Sequence, residues 1–357
     1  MQQSGSLAIV TGAAGWLGQR LVQALASGLP DCEPLQSIWR PRRVRALVLP
    51  GTDTFELRRQ APELEIVEGD VRNPDDCTRL CADARGASLF HAAGIVHPRR
   101  VREFFDINVT GTRNVLEAAA EAGVRRGLVV SSNSPFGTNP RVDHVFDERA
   151  PYKPYMAYGR SKMEMELAVR DIHRSGRLET VLIRPPWFYG PNQPPRQTLF
   201  FEMIRSGKAP LVGPGTNRRS MAYIDNICQG LLLADAHEHA SGQAYWIADE
   251  RPYEMSEILD TVERLLEGDF GLACAHRRLR LPSFASDVAW LADWALQKLG
   301  LYQQKIHVLS EMNKTIACSV DKAKRELGYK PVIALEEGMR RSIRWCLDQK
   351  LIKALPA

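Results

Sequence analysis

Short apolar runs punctuate the first half of the chain, and the stretches between them carry a helical period. Leu7-Ala8-Ile9-Val10, Val44 to Leu49, Leu64 to Val71, Ala87 to Phe90, Leu128-Val129-Val130 and Glu179 to Ile183 each have the length of a buried strand. Between them Leu17, Leu21 and Leu25 recur at helical spacing, and Val115, Ala118, Ala119 and Ala122 form a second apolar stripe. Strand and helix in alternation predict an α/β fold with a doubly wound parallel sheet. The rhythm stops at Pro191, where the chain turns proline-rich. Farther on, Phe284, Val288, Leu291 and Ala295 share one face of a helix, with Trp290 and Trp294 beside it.

A helix over residues 158–175 sets Tyr158 and Lys162 one turn apart on the same face. Met165, Val169 and Ile172 share that stripe, whereas Glu166, Arg170, Asp171 and Arg174 point the other way, so the pair is expected on the buried side. A phenol titrates near pH ~10, and an ammonium beside it favours the phenolate and lowers that value. This is the geometry a lysine needs to make a tyrosine an acid or base at neutral pH. The five-residue pattern is short, and an ordinary half-buried helix is its other reading.

The first strand runs straight into Thr11-Gly12-Ala13-Ala14-Gly15-Trp16-Leu17-Gly18. Gly12 allows a tight turn, Gly15 lets the backbone approach a pyrophosphate, and Gly18 permits close helix packing. The helix that follows offers free N–H groups and the positive end of its dipole to phosphate oxygens.

That spacing, TGxxGxxG, resembles the short-chain dehydrogenase/reductase superfamily. With the chain length and later motifs it resembles the extended branch, which includes nucleotide-sugar epimerases and dehydratases, dihydroflavonol reductases and 3β-hydroxysteroid dehydrogenases. The resemblance implies a Rossmann-type sheet and NAD(P) as cofactor. Gly12, Gly15, Trp16, Leu17 and Gly18 would hold the pyrophosphate, and Asp70 and Val71 the adenine, although a strand-end aspartate also serves as a helix cap. Ala92, Ala93 and Gly94 match the small-residue loop beneath the nicotinamide ribose, and Asn108 opens the helix signature Asn108-Val109-Thr110-Gly111. Lys162 is also expected at the ribose. Arg184-Pro185-Pro186-Trp187-Phe188-Tyr189-Gly190-Pro191 resembles the RPxxxYGP segment, in which Pro185 contacts the nicotinamide end. The catalytic set is then Ser132, Tyr158 and Lys162. Ser132 is found by counting back from Phe136-Gly137, where relatives often have Tyr-Gly, with Ser131 one register away.

Where many relatives carry an acidic residue for the adenosine ribose, the second strand ends in Leu49-Pro50-Gly51-Thr52. Asp53 is near, and Arg58 and Arg59 are placed to meet a 2′-phosphate, which tips the expectation slightly to NADP. The resemblance divides the chain into residues 1–183, with 222–248 returning to them, and a smaller, mostly helical substrate domain of 184–221 and 249–357. Trp187 and Phe188 stand where nucleotide-sugar enzymes commonly place an asparagine, and they suit an apolar substrate. Arg218, by register from Asp225, matches an arginine that holds diphosphate in some epimerases, and its bland reading is a solvated loop end. Asn226, Gly242 to Ile247 and Glu254-Met255-Ser256 resemble the 3β-hydroxysteroid dehydrogenase branch. So does 281–300, a region that touches membranes in many steroid members. A packed helix covering the site is its alternative, favoured by Asp287 and Asp293 and by the lack of a dense Lys/Arg face.

Composition narrows the field further. The chain has 357 residues, 44% of them hydrophobic, which suits a globular protein with a sizeable core. The net charge of +5 gathers in Arg40, Arg42, Arg43 and Arg45 and in Arg99, Arg100 and Arg102, read as solvated loops. No aromatic-interleaved basic face accompanies them, so no nucleic-acid partner is expected. The seven cysteines are scattered and read as reduced thiols, and His91 and His97 read as structural rather than metal ligands. No basic-then-apolar leader is read over Met1 to Ala8 and no run of ~20 apolar residues occurs, which gives a cytoplasmic protein, peripheral to a membrane at most through 281–300. The resemblance adds a homodimer. The expected function is NAD(P)-dependent interconversion of a secondary alcohol and a ketone on a bulky apolar substrate of steroid, sterol or 3-oxo acid type. The alternatives are a nucleotide-sugar epimerase or dehydratase with bound NAD, and a non-catalytic NAD(P)-binding sensor.

Overall fold

Seven strands lie side by side in the computed structural model, which describes residues 6–30 and 32–352. Residues 1–5, part of the stretch in which no leader is read, lie outside the described residues. The strands are β1 (Leu7–Thr11), β2 (Arg43–Val48), β3 (Glu65–Glu68), β4 (Ser88–His91), β5 (Arg126–Val130), β6 (Glu179–Arg184) and β7 (Ala244–Trp246). Their order is β7-β6-β5-β4-β1-β2-β3 and every pairing is parallel. The order reverses between β1 and β4, and a ligand crevice opens beyond the strand ends at such a switch point.

Alternation along β1 sends Ala8 and Val10 to one face and Ile9 to the other. The first face packs against Leu21 and Leu25 of α1 (Trp16–Ser27) and Ile227 and Leu231 of α4 (Ile224–Ala236). The second packs against Val115 and Ala119 of α2 (Thr112–Glu121) and Met165 and Val169 of α3 (Met156–Arg174). Met165 and Val169 thus bury as the stripe predicts. Glu166 does not point away, as the helical period suggests. It is fully buried and ion-paired with Arg184, because α3 is enclosed on a second side by the loop after β5 and the end of β6.

The arginine cluster around residue 42 is only partly solvated. Arg42 and Arg125 both ion-pair with Asp235 at 2.5 Å, and Arg45 pairs with Glu65 at 2.8 Å. Arg40 and Arg43 are exposed, as are Arg99, Arg100 and Arg102.

The substrate side consists of short two-stranded ribbons and helices. One ribbon pairs Trp187–Tyr189 with Met221–Tyr223, and another pairs Arg218–Arg219 with Tyr253–Glu254. Beyond them α5 (Phe284–Lys298) packs on α6 (Gln304–Glu311) with its polar side inward. Ser286 Oγ donates to the Leu309 carbonyl at 2.9 Å, and Asp293 meets His307 Nδ1 at 2.7 Å. The apolar stripe faces out instead, with Phe284 65%, Val288 63% and Leu291 58% exposed. Among the described residues no helix is long and apolar enough to cross a membrane.

One buried cation ties α4 to the sheet. Arg126, at the start of β5, is 1% exposed and donates to the carbonyls of Ala234, Asp235 and His237 at 2.9, 3.1 and 2.7 Å, and to Glu179. The last carbonyls of a helix lack partners within it, and a cation there also meets the negative end of the dipole. Arg126→Met should therefore lower the unfolding free energy by ~2–4 kcal/mol, since several buried acceptors lose their donor at once. Urea titration followed by circular dichroism measures this, and a loss below ~0.5 kcal/mol would contradict the account.

Candidate active site

The turn after β1 and the turn after β4 meet at the switch point. Gly12 has φ +70°, and a Cβ there would stand 2.6 Å from the Ala93 nitrogen. A Cβ on Gly18 would stand 2.0 Å from the Gly12 carbonyl oxygen, so only glycine lets α1 begin this close to the turn. No side chain caps α1 at Gly15, which leaves the N–H groups of its first turn for a phosphate. Leu17 is buried in the core, and Trp16 reaches across to the substrate side. Its Nε1 donates to the Pro191 carbonyl at 2.7 Å and its ring lies 6.2 Å from that of Phe188. The narrow approach and the open helix end fit a dinucleotide.

The nicotinamide end is built from β4 outward. Ala92 and Ala93 are half-buried, and a Cβ on Gly94 would come within 3.2 Å of Asn108 Oδ1 and 3.4 Å of Lys162 Nζ. Asn108 is fully buried and lies in a π-helical turn, Asp106–Gly111. Such turns re-aim a side chain off the regular helical ladder. Here the carboxamide receives the Ile95 N–H at 2.8 Å and donates to Ser161 Oγ at 3.1 Å. At the adenine end Val71 is buried, and the Asp70 carboxylate is held below its ordinary range by the hydrogen-bonded Arg72 guanidinium. Asp70 does not cap the next helix; Asn73 does, accepting from the Asp75 N–H at 3.1 Å.

Ser132, and not Ser131, meets the tyrosine. The Ser132 hydroxyl lies near enough to pull the Tyr158 phenol down, whereas Ser131 Oγ turns away to donate to Glu166 Oε1 at 2.6 Å. Burial pushes the Tyr158 phenol up to about 12, Ser132 and Arg196 pull it down, and Glu311 pushes it up. The expectation that Lys162 lowers this value is not met in the geometry. Lys162 Nζ donates to the Val130 carbonyl at 3.0 Å, and its charge is not among the influences on the phenol. Burial brings Lys162 itself down to about 8, against the pull of Glu166. Its ammonium faces the Gly94 loop.

Several residues around the phenol escape any sequence pattern. Phe104 lies 5.5 Å from the Tyr158 ring and 5.5 Å from Tyr302, making an aromatic roof. The Tyr302 hydroxyl meets His97 Nδ1 at 2.7 Å, and the other nitrogen of His97 contacts Arg196. Glu311 comes from α6. These groups converge from four separate segments, and no local spacing marks them. Among the predicted substrate contacts, Trp187 packs edge-on to Phe200 at 5.8 Å and Phe188 packs on Trp16 at 6.2 Å, so each ring has its own aromatic partner. Pro185 follows directly on the buried Arg184 at the end of β6. The half-buried Arg218 side chain has no hydrogen bond or ion pair among the described residues. Its neighbour Arg219 is the one that reaches α6, donating to the Glu311 carbonyl at 2.5 Å.

Beneath the crevice His91 links β1, β4 and α2. Nδ1 meets Thr11 Oγ1 at 2.7 Å and Nε2 meets Thr112 Oγ1 at 2.8 Å. Thr112 gives its own proton to the Asn108 carbonyl at 2.7 Å, so Nε2 carries the imidazole hydrogen and Nδ1 accepts from Thr11. The ring is neutral, brought down to about 3 by burial and by the nearby Lys162 charge.

The family described as NAD dependent epimerase/dehydratase matches residues 8–248. The uncharacterized protein y4nL of Sinorhizobium fredii is 53% identical over 96% of this chain and 95% of its own length. The 3beta-hydroxysteroid-dehydrogenase/decarboxylase isoform 1 of Arabidopsis thaliana is 29% identical over 94% of this chain and 78% of its own. A dTDP-glucose 4,6-dehydratase of Streptomyces venezuelae, solved with NAD bound, shares the fold with a TM-score of 0.72 at 24% identity, covering 96% of this chain and 98% of that one.

His91 should give the protein an acid limb of stability. The unfolded chain protonates this histidine below about 6.5 and the native state only near 3, so stability is complete above 6.5 and drains as pH falls toward 3. At pH 4 the loss from this residue amounts to ~3 kcal/mol. Urea midpoints of wild type and His91→Gln, measured at pH 7 and pH 4, should show a smaller acid shift in the variant.

Proposed function

The chain belongs to the NAD dependent epimerase/dehydratase family, and from that premise we propose that it is an NAD(P)-dependent oxidoreductase interconverting a secondary alcohol and a ketone on a bulky apolar substrate of steroid, sterol or 3-oxo acid type. The observation that carries this reading is the buried Tyr158 hydroxyl beside Ser132, beneath the Phe104 and Tyr302 rings. When bound, the nicotinamide supplies or accepts the hydride. Tyr158 gives or takes the proton at the substrate oxygen, and Ser132 orients that oxygen. Lys162 and Asn108 border the loop that would hold the ribose, and Gly12 to Gly18 cradle the pyrophosphate. A raised phenol keeps its proton at neutral pH, which makes Tyr158 ready to act as an acid toward a ketone. General acid–base help of this kind is worth ~10²–10⁴ in rate.

Two aromatic pairs, Trp187 with Phe200 and Trp16 with Phe188, support the apolar substrate. The half-buried, unpaired Arg218 favours the second reading, a sugar-nucleotide epimerase or dehydratase, because a guanidinium without a carboxylate suits a diphosphate. NADP is the preferred nucleotide. Leu49 stands exposed beyond the end of β2 with no carboxylate at the tip, although Arg59 is already paired with Glu56 and leaves Arg58 for the 2′-phosphate. The outward stripe of α5 is proposed to lie on an anionic membrane surface. Exposed Arg280 precedes it and Lys298 and Lys305 follow it, as headgroup charges would require.

Net reduction of added NADP by a hydroxysteroid supports the first reading, and redox-neutral conversion of a UDP- or dTDP-sugar supports the second. In either assay Tyr158→Phe should lose ~10²-fold or more in kcat while nucleotide affinity changes little. A phenylalanine variant with near-normal turnover would sink the assignment. For the membrane reading, wild type should float with vesicles containing phosphatidylserine, and a Val288→Glu/Leu291→Glu double variant should stay behind with an unchanged melting temperature.

A further inference from the structure

The catalytic helix begins in a strained conformation. Tyr155 precedes α3 without a side-chain cap, and Met156 has φ +52°, a left-handed backbone that a non-glycine residue adopts only when its surroundings force it. Met156 stands two residues before Tyr158, so whatever holds it also places the phenol. The loop after β5 supplies part of the hold, since the Tyr155 N–H donates to the Ser134 carbonyl at 3.0 Å. The rest comes from far along the chain. The Ala157 N–H, one of the donors a helix start leaves open, gives its hydrogen to Gln297 Oε1 at 3.0 Å. The Tyr155 hydroxyl meets Ser310 Oγ at 2.8 Å, and Ser310 passes its own proton to the His307 carbonyl, so the tyrosine is the donor.

Both partners are fixed in turn. Gln297 Nε2 donates to Asp293 Oδ1 at 2.9 Å, and Asp293 Oδ2 meets His307 Nδ1 at 2.7 Å. Asp293 is fully buried, as is Ser310, and the ring of His307 lies 5.8 Å from that of Tyr155. The amide of Gln297 therefore has one orientation open to it, with its oxygen toward α3. This is an inward polar cluster on a helix pair whose apolar side faces out.

We propose that Gln297, which caps the first turn of α3, and Ser310, which anchors the Tyr155 side chain, are positioning residues of the α5–α6 pair that hold Met156 in its left-handed conformation and thereby set the Tyr158 hydroxyl beside Ser132. The placement of the substrate-side helices and the alignment of the catalytic tyrosine are then one structural event. The effect on turnover rests on the acid–base reading of Tyr158, whereas the effect on the helix start does not.

Gln297→Met keeps the length and packing of the side chain and removes the acceptor, and Tyr155→Phe removes the second contact without touching α5. Amide hydrogen exchange of the full chain, read by mass spectrometry, should show residues 156–160 exchanging ~10-fold faster in each variant, with the segment 7–27 unchanged. With a substrate that wild type turns over, kcat should fall ~10-fold while the nucleotide dissociation constant stays within about twofold. A purely structural loss would instead raise exchange in both segments together and lower the unfolding midpoint. Unchanged exchange at 156–160 in both variants would overturn the proposal, and so would faster exchange there with undiminished kcat. If wild type oxidises or reduces nothing, the acid–base reading fails, and the exchange result alone decides the capping role.

Discussion

A single buried carboxylate organises the catalytic end of the sheet. Glu166, with none of its surface exposed, receives Arg184 Nε at 3.0 Å and Nη2 at 2.6 Å, Ser131 Oγ at 2.6 Å and the Tyr152 hydroxyl at 2.7 Å. Burial alone would raise this carboxyl, but the Arg184 charge and the two hydroxyls outweigh it and hold it below its ordinary value. Arg184 in turn lies over the rings of Phe136 at 4.5 Å and Trp246 at 5.8 Å. An ion pair so deep adds little net stability, yet losing one partner would cost ~3–5 kcal/mol by stranding the other charge. Its consequence is registration. Ser131 precedes Ser132, Glu166 lies one turn beyond Lys162, and Arg184 precedes Pro185. Three segments at the C-terminal end of the sheet are thus tied to one pair of oxygens.

Desolvation sets the charges of the site more than pairwise attraction does. The same burial pushes Tyr158 up, brings Lys162 down and keeps His91 neutral. Fewer charges near the nicotinamide loop leave a low-dielectric floor, in which the remaining ones act strongly. Glu166 is the one anion acting on Lys162, and it opposes the loss of the ammonium. Lys162, held by the Val130 carbonyl, thus remains a donor aimed at the ribose position. The phenol, raised by the same burial, keeps its proton at neutral pH.

What could be read from the chain was what is local. The strands, the turn from Gly12 to Gly18 and the pair Tyr158 and Lys162 each announce themselves within a few residues, because backbone approach and helical period are short-range properties. The sequence left Ser132 and Ser131 one register apart. Neither serine carries a mark that separates them, and the choice is made by Glu166 capturing the neighbouring hydroxyl. Glu166 itself was placed on the wrong side of α3 because a periodic stripe presumes one buried face, and this helix has two. The aim of the Lys162 side chain escapes the pattern for a related reason. A one-turn separation puts two side chains on the same face without aiming one at the other, and the Val130 carbonyl claims the ammonium. Phe104, Arg196, Tyr302 and Glu311 had no local signature, because only the tertiary fold brings them to the phenol from separate segments.

The orientation of α5 shows why helical patterning alone leaves such a segment open. Its sequence is equally consistent with either face turned inward, and hydrophobic burial alone favours hiding Phe284, Val288 and Leu291. The polar residues decide otherwise. With the helix turned over, Ser286, Asp293 and Gln297 would lose the Leu309 carbonyl, His307 and the Ala157 N–H. The first turn of α3 would then carry an unsatisfied donor beside a strained residue. Satisfying those groups keeps the apolar stripe in solvent, at a cost that a covering surface would remove. The same helix therefore presents one face that bonds the start of α3 and another that stays in solvent.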